Sequence, residues 1–141
     1  MLYAFHATIE DDPDGGFLVT FADVPEAITA GDTRDEALEN AREALSLALR
    51  GIAQDGRDLP EPRAGKGIPI AVEPDVAAKL ALIEAFRHAG IAKHDLARRL
   101  GKSENEARRL LDPDHNSKIG PLQEALRALG REIVITVQDA A

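Results

Sequence analysis

Ala92-Lys-His-Asp-Leu-Ala-Arg-Arg-Leu-Gly101-Lys-Ser-Glu-Asn-Glu-Ala-Arg-Arg-Leu-Leu111 reads as two short helices joined by a tight turn. Leu96 and Ala97 fall on the inner face of the first helix, and Gly101 supplies the break. Ser103 followed by Glu106 makes the Ser-x-x-Glu capping box that starts the second. Six basic side chains crowd the stretch: Lys93, Arg98, Arg99, Lys102, Arg108 and Arg109. Such a pattern predicts a helix-turn-helix whose second helix enters a DNA major groove. Lys102, Ser103, Glu104, Asn105, Arg108 and Arg109 then lie nearest the bases and phosphates, with Lys93 and His94 at the start of the preceding helix. Asn pairs with adenine and Arg with guanine through bidentate hydrogen bonds, so Asn105 and Arg108 are the expected base readers. The alternative is a plain helical hairpin with solvated arginines. Glu104 and Glu106 weigh against tight nonspecific binding.

The charge of the whole chain is wrong for a DNA-binding protein. Its 17 Lys and Arg stand against 25 Asp and Glu, a formal net charge of −8. The acid, however, is confined. Residues 1–64 carry five basic and fourteen acidic side chains, a balance of −9, and residues 65–141 carry twelve and eleven, a balance of +1. Within residues 86–118 the balance is +3. An acidic half is repelled by nucleic acid, and its natural partner is a basic protein. A solubilising surface is the alternative reading of the same charge.

At 141 residues the chain divides into residues 1–62, a linker at 63–67 and residues 68–141, two units small enough to lean on oligomerisation. The linker follows from Leu59-Pro-Glu-Pro62-Arg-Ala-Gly-Lys-Gly67 and its Pro and Gly content. The chain has no cysteine, so it has no disulfide and no thiolate metal site. No apolar run approaches the about 20 residues of a membrane span, and the opening Met1-Leu-Tyr-Ala-Phe-His6 has no basic n-region or apolar h-region. These features predict a soluble, cytoplasmic protein without a membrane partner.

Residues 2–9 and 17–21 alternate around Asp11-Asp-Pro-Asp-Gly-Gly16, a β-hairpin with a longer loop. Ile28–Ala30 makes a short third strand. Thr33 and Glu36 cap a helix whose Leu38, Ala41, Leu45, Ala48, Leu49 and Ile52 recur at three and four, and Gly56 ends it. Ile68–Val72 reads as a strand, and a helix from Pro74 to Gly90 buries Val76, Leu80, Ile83 and Phe86. After the helical pair come a loop at 112–116, a helix from Pro121 to Gly130, and a strand through Ile133, Ile135 and Val137. The two strands of the second half lack partners of their own. They are expected to pair with the same strands of a second copy, giving a homodimer or higher homo-oligomer.

Catalytic and metal motifs are absent from the pattern. Glu10-x-Asp12-x-Asp14-Gly15 imitates the start of a calcium loop, but Phe21 stands where the twelfth-position Glu is required. The histidines, at 6, 88, 94 and 115, lack zinc-pair spacing. There is no P-loop and no dinucleotide fingerprint. Asp11, Asp12 and Asp14 could suggest a residual nuclease, yet two-metal chemistry needs carboxylates converging from separate elements. The chain is expected to have no catalytic residues, no cofactor and no bound metal, and not to be an enzyme.

The run from Asp14 to Ala37, through Asp14-Gly-Gly-Phe17, Phe21-Ala-Asp23-Val-Pro25 and Gly31-Asp-Thr-Arg-Asp-Glu-Ala37, resembles HicB-type antitoxins. With the helix-turn-helix that one branch of that family appends, the resemblance covers essentially the whole chain. Glu26 stands where the family pattern has Gly, and Ala27 where it has Cys. The resemblance implies an α+β protein: an N-terminal partial ribonuclease-H-like βββα domain, plus a C-terminal helix-turn-helix DNA-binding domain with flanking strands. It further implies that the N-terminal domain neutralises a small basic HicA-type, mRNA-cleaving toxin while the C-terminal domain represses its own operon at operator DNA. On that reading Glu10, Asp11, Asp12, Asp14, Asp23 and Glu26 meet the toxin. The alternative is a stand-alone transcriptional regulator with a ligand- or protein-sensing N-terminal domain.

Overall fold

The structure, a computed structural model, describes residues 1–140. It forms two compact units: residues 1–52 with 59–73, and residues 53–58 with 74–138.

The first unit is a four-stranded antiparallel sheet under one long helix. Strands β1 (Ala4–Asp11), β2 (Phe17–Phe21), β3 (Ile28–Gly31) and β4 (Ile68–Ala71) lie in the order β3-β2-β1-β4. Alternation puts Phe5, Ala7, Val19, Phe21 and Ile70 on one face, all buried, against Ala37, Leu38, Ala41, Leu45, Leu49 and Ile52 of helix α1 (Arg34–Gln54). A fully buried Leu or Phe contributes about 1.5–3 kcal/mol, so this stripe holds the unit together. The Thr33 Oγ1 accepts from the Glu36 N–H at 3.1 Å and starts α1 as its sequence predicts. Gly31 is needed for closeness: a Cβ there would collide with the backbone nitrogen of Ala37.

Two strand expectations are corrected. Ile68–Ala71 does not await a second copy. It pairs with β1 of its own chain, Phe5 opposite Ile70 and Ala7 opposite Ile68, and belongs to the first unit. Pro69 fits an edge strand because it stands opposite His6 at a position whose backbone turns away from β1. The Ile133–Val137 stretch forms no strand, since the described chain offers it no ladder partner. Val134, Ile135 and Val137 are instead exposed. The flanking strands expected around the second unit are therefore missing from it.

The second unit is four helices: α2 (Pro74–Ala89), α3 (Lys93–Leu100), α4 (Glu104–Leu111) and α5 (Ile119–Ala128). Ala78, Leu82, Leu110, Leu122, Ala125 and Leu126 form its core, with Leu100, Leu111, Leu129 and Ile133 packed around it. No helix among the described residues is long and apolar enough to cross a membrane.

Candidate functional site

The turn between α3 and α4 is closed by the backbone. Gly101 adopts a left-handed conformation (φ 64°, ψ 31°), where a side chain is disfavoured. Its N–H donates to the Arg98 carbonyl at 3.2 Å, and the Lys102 N–H donates to the Ala97 carbonyl at 3.0 Å. These two bonds satisfy orphan carbonyls at the end of α3. Ser103 then caps α4, its Oγ accepting from the Glu106 N–H at 3.2 Å. At the start of α3, Ala92 has no side-chain acceptor, but the Asp95 Oδ2 accepts the Ala92 N–H at 3.1 Å. That hydrogen bond, with help from His94 and Arg98, holds the Asp95 carboxyl below its usual range.

Ala107 and Leu110 anchor the inner face of α4. Residues three and four apart share a face, so Asn105, Arg108 and Arg109 share the opposite one, and all three are exposed. Arg108 donates to Glu104 Oε1 at 3.0 Å within the helix. Arg98 is tied to Asp95 at 2.7 Å, and Arg99 reaches the Ala128 carbonyl at 3.4 Å. Lys93 and His94 are exposed at the first turn of α3, and Lys102 is half-buried in the turn. The hydroxyl of Ser103 keeps its own proton for donation, although its lone pair serves the cap.

The acidic candidates divide into two groups. Glu10 and Asp11 end β1, and Asp12 and Asp14 form the hairpin loop, where the Asp12 Oδ1 accepts the Asp14 N–H at 3.0 Å. Asp23 and Glu26 lie past the other end of β2, a strand of five residues, at least about 13 Å away at 3.3 Å per residue. Asp23 has an internal task. Its Oδ2 accepts the N–H groups of Arg63 and Ala64 at 2.8 and 2.7 Å, which fastens the chain leading into β4 to the turn after β2. Because β4 begins opposite Ala7, Ile9 and Asp11 are paired with β2 on one side and have no strand on the other. A surface groove of about 650 Å³ opens there, lined by Ile9, Glu10, Asp11, Phe17, Arg34 and Lys66 among others.

Two features escaped the sequence reading. Asp58, Glu84 and His88 bring ligand atoms within 4.8 Å of one another. Arg87 already sets a cation between two of them, with its Nη1 3.3 Å from Asp58 and 3.5 Å from Glu84. The second is Lys79, 3% exposed, whose Nζ donates to the Arg109 carbonyl at 2.8 Å and to Ser117 Oγ at 2.7 Å. Its position on the apolar stripe of α2, four residues before Ile83, was the available signal.

Comparison with known proteins finds that the family model described as the HicB-like antitoxin of bacterial toxin–antitoxin systems matches residues 3–81. Antitoxin HicB of Escherichia coli (strain K12) is 38% identical over 135 residues, covering 94% of this chain and 98% of that protein. Antitoxin HicB of Pseudomonas fluorescens (strain Pf0-1) is 35% identical over 143 residues, covering 99% and 97%. Antitoxin HicB 1 of Photorhabdus laumondii is 33% identical over 134 residues, covering 95% and 86%.

Proposed function

Since this chain belongs to the HicB-like antitoxins of bacterial toxin–antitoxin systems, we propose that its first unit captures and neutralises a small basic HicA-type toxin. Its second unit represses the operon that encodes the pair. In this reading the sheet and α1 are a partial ribonuclease-H-like domain without catalytic work, and α3 and α4 are a helix-turn-helix.

The observation that carries the reading is the division of charge, −9 over residues 1–64 against +3 over residues 86–118. A basic, RNA-cleaving partner is drawn to the first field and DNA to the second. Glu10, Asp11, Asp12 and Asp14 steer the toxin and cover its RNA-binding surface, while Asp23 and Glu26 extend the contact past the far end of β2. Charge complementarity of this kind acts chiefly on association rate and specificity. On DNA, Lys93, His94, Lys102 and Ser103 serve the phosphates, while Asn105 and Arg108 read bases beside Arg109. Arg108 must first leave Glu104. An exposed ion pair at this spacing is worth only about 0.3–0.5 kcal/mol, so the exchange is cheap.

One helix-turn-helix makes few contacts, and two copies reading half-sites about 34 Å or a multiple apart supply the missing affinity. The exposed Val134, Ile135 and Val137 favour pairing of residues 133–137 between copies. The test is kinetic. Replacing Asp12 and Asp14 by Lys is expected to slow capture of the purified toxin about tenfold or more at low salt, with a smaller loss at high salt. An unchanged association rate contradicts the steering role.

A further inference from the structure

We propose that Lys79 is a positioning residue for DNA binding: it fixes the last turn of α4 and the loop that follows, and so sets the angle at which α4 presents Asn105, Arg108 and Arg109. The proposal rests on the reading of α4 as the DNA-facing helix.

Lys79 belongs to α2, yet its two hydrogen bonds reach other parts of the unit. One goes to the Arg109 carbonyl in α4 and the other to Ser117, in the loop before α5. The carbonyls of a helix's last turn lack the usual partner four residues on, and the Arg109 carbonyl takes the C-cap Asp112 N–H at 3.3 Å beside the shorter bond from Lys79. A cation placed on them also meets the negative end of the helix dipole. Arg109 is thus held from inside by its carbonyl while its side chain is exposed. One ammonium joins α2, the end of α4 and the start of α5.

Packing alone does not account for a lysine here. A methionine of similar length would fill the space with no charge to desolvate. Burial disfavours the ammonium strongly enough to push Lys79 from 10.5 down to about 8, with Asp112 opposing the shift. What the lysine adds over methionine is its pair of directed bonds, one to the helix that carries the candidate DNA-reading side chains and one to the loop that follows it. Base-edge hydrogen bonds tolerate only a few tenths of an ångström, so a relaxed last turn is felt at the DNA.

The test uses the full-length protein, its Lys79→Met variant, and a DNA duplex carrying the region upstream of its own gene. The variant is expected to bind the duplex about tenfold or more weakly, equivalent to roughly 1.4 kcal/mol. It should keep its melting temperature and its capture of toxin, with amide resonance changes beyond the turns of α2 around residue 79 confined to residues 104–118. A folded variant that binds the duplex like the wild type overturns the proposal. Should Lys79→Met fail to fold, Ser117→Ala decides, because it keeps the buried ammonium on Arg109 and removes one anchor. Weaker DNA binding by Ser117→Ala supports the role, and unchanged binding overturns it. A wild-type protein that leaves the duplex unretarded overturns the DNA reading, and the positioning role falls with it, a result distinct from either variant's.

Discussion

Asp23 shows that a side chain's charge does not disclose all of its work. In the sequence it is one more acid in an acidic half, yet its carboxylate takes two backbone N–H groups forty residues away. Asp23→Ala leaves those donors without their acceptor, and is expected to cost about 1–3 kcal/mol of stability in urea unfolding. Asp14→Ala, whose side chain has no such task, should cost less than about 0.5 kcal/mol. Lys79 gives a second prediction, in pH. Its folded form loses the proton near 8 while the unfolded chain holds it to about 10.5. Below pH 8 both states are protonated and this group adds no slope. Between pH 8 and about 10.5 the unfolded state binds more protons, so stability rises with pH across that window. Urea unfolding at pH 8, 9 and 10 should show the rise in the wild type and its loss in Lys79→Met. The Asp112 carboxylate is the charge that acts on Lys79, and His115 Nδ1 lies 3.5 Å from its acceptor Ser117 Oγ.

At the scale of elements, local signals carried far. Thr33 and Ser103 sit where side-chain caps were expected and accept the bonds that caps accept. Ser103→Ala is expected to cost about 1 kcal/mol and to raise amide exchange in the first turn of α4 before the rest of the unit. Gly31→Ala should cost more, about 2 kcal/mol or above, because strand and helix backbones cannot both stay in place around a methyl group. Calorimetry on the two variants ranks them. What local signals could not reveal was pairing across distance. Ile68–Ala71 is legible as a strand from its own residues, but its partner is written 61 to 67 residues earlier, beyond any window of periodicity. The Ile133–Val137 alternation is equally legible and remains without a partner, because a ladder needs a second strand as much as a suitable first. The outward face of α4 could be drawn from helical spacing alone. Lys79 could not, since its meaning depends on where the Arg109 carbonyl falls in space.

For the molecule as a whole, the boundary suggested by composition and the boundary made by contacts differ. Prolines and glycines mark residues 59–67 as a linker, yet the first unit resumes at Leu59 and runs to Glu73. A fragment ending at residue 62 lacks β4 and leaves β1 with an open edge. It should unfold at lower urea and aggregate more readily than a fragment ending at residue 73. Sedimentation of the full chain against one lacking residues 131–141 tests pairing between copies, with the shorter chain expected to be the lighter species. The pairing of β1 with β4 also bears on when the protein becomes competent. Phe5 and Ile70 face each other across 65 positions of chain, so a nascent chain cannot close its sheet until its first seventy residues have left the ribosome. At bacterial elongation rates that delay is on the order of 4–14 s. The segment that completes the acidic domain is thus made just before the helices of the second unit, and a chain interrupted before β4 yields neither unit.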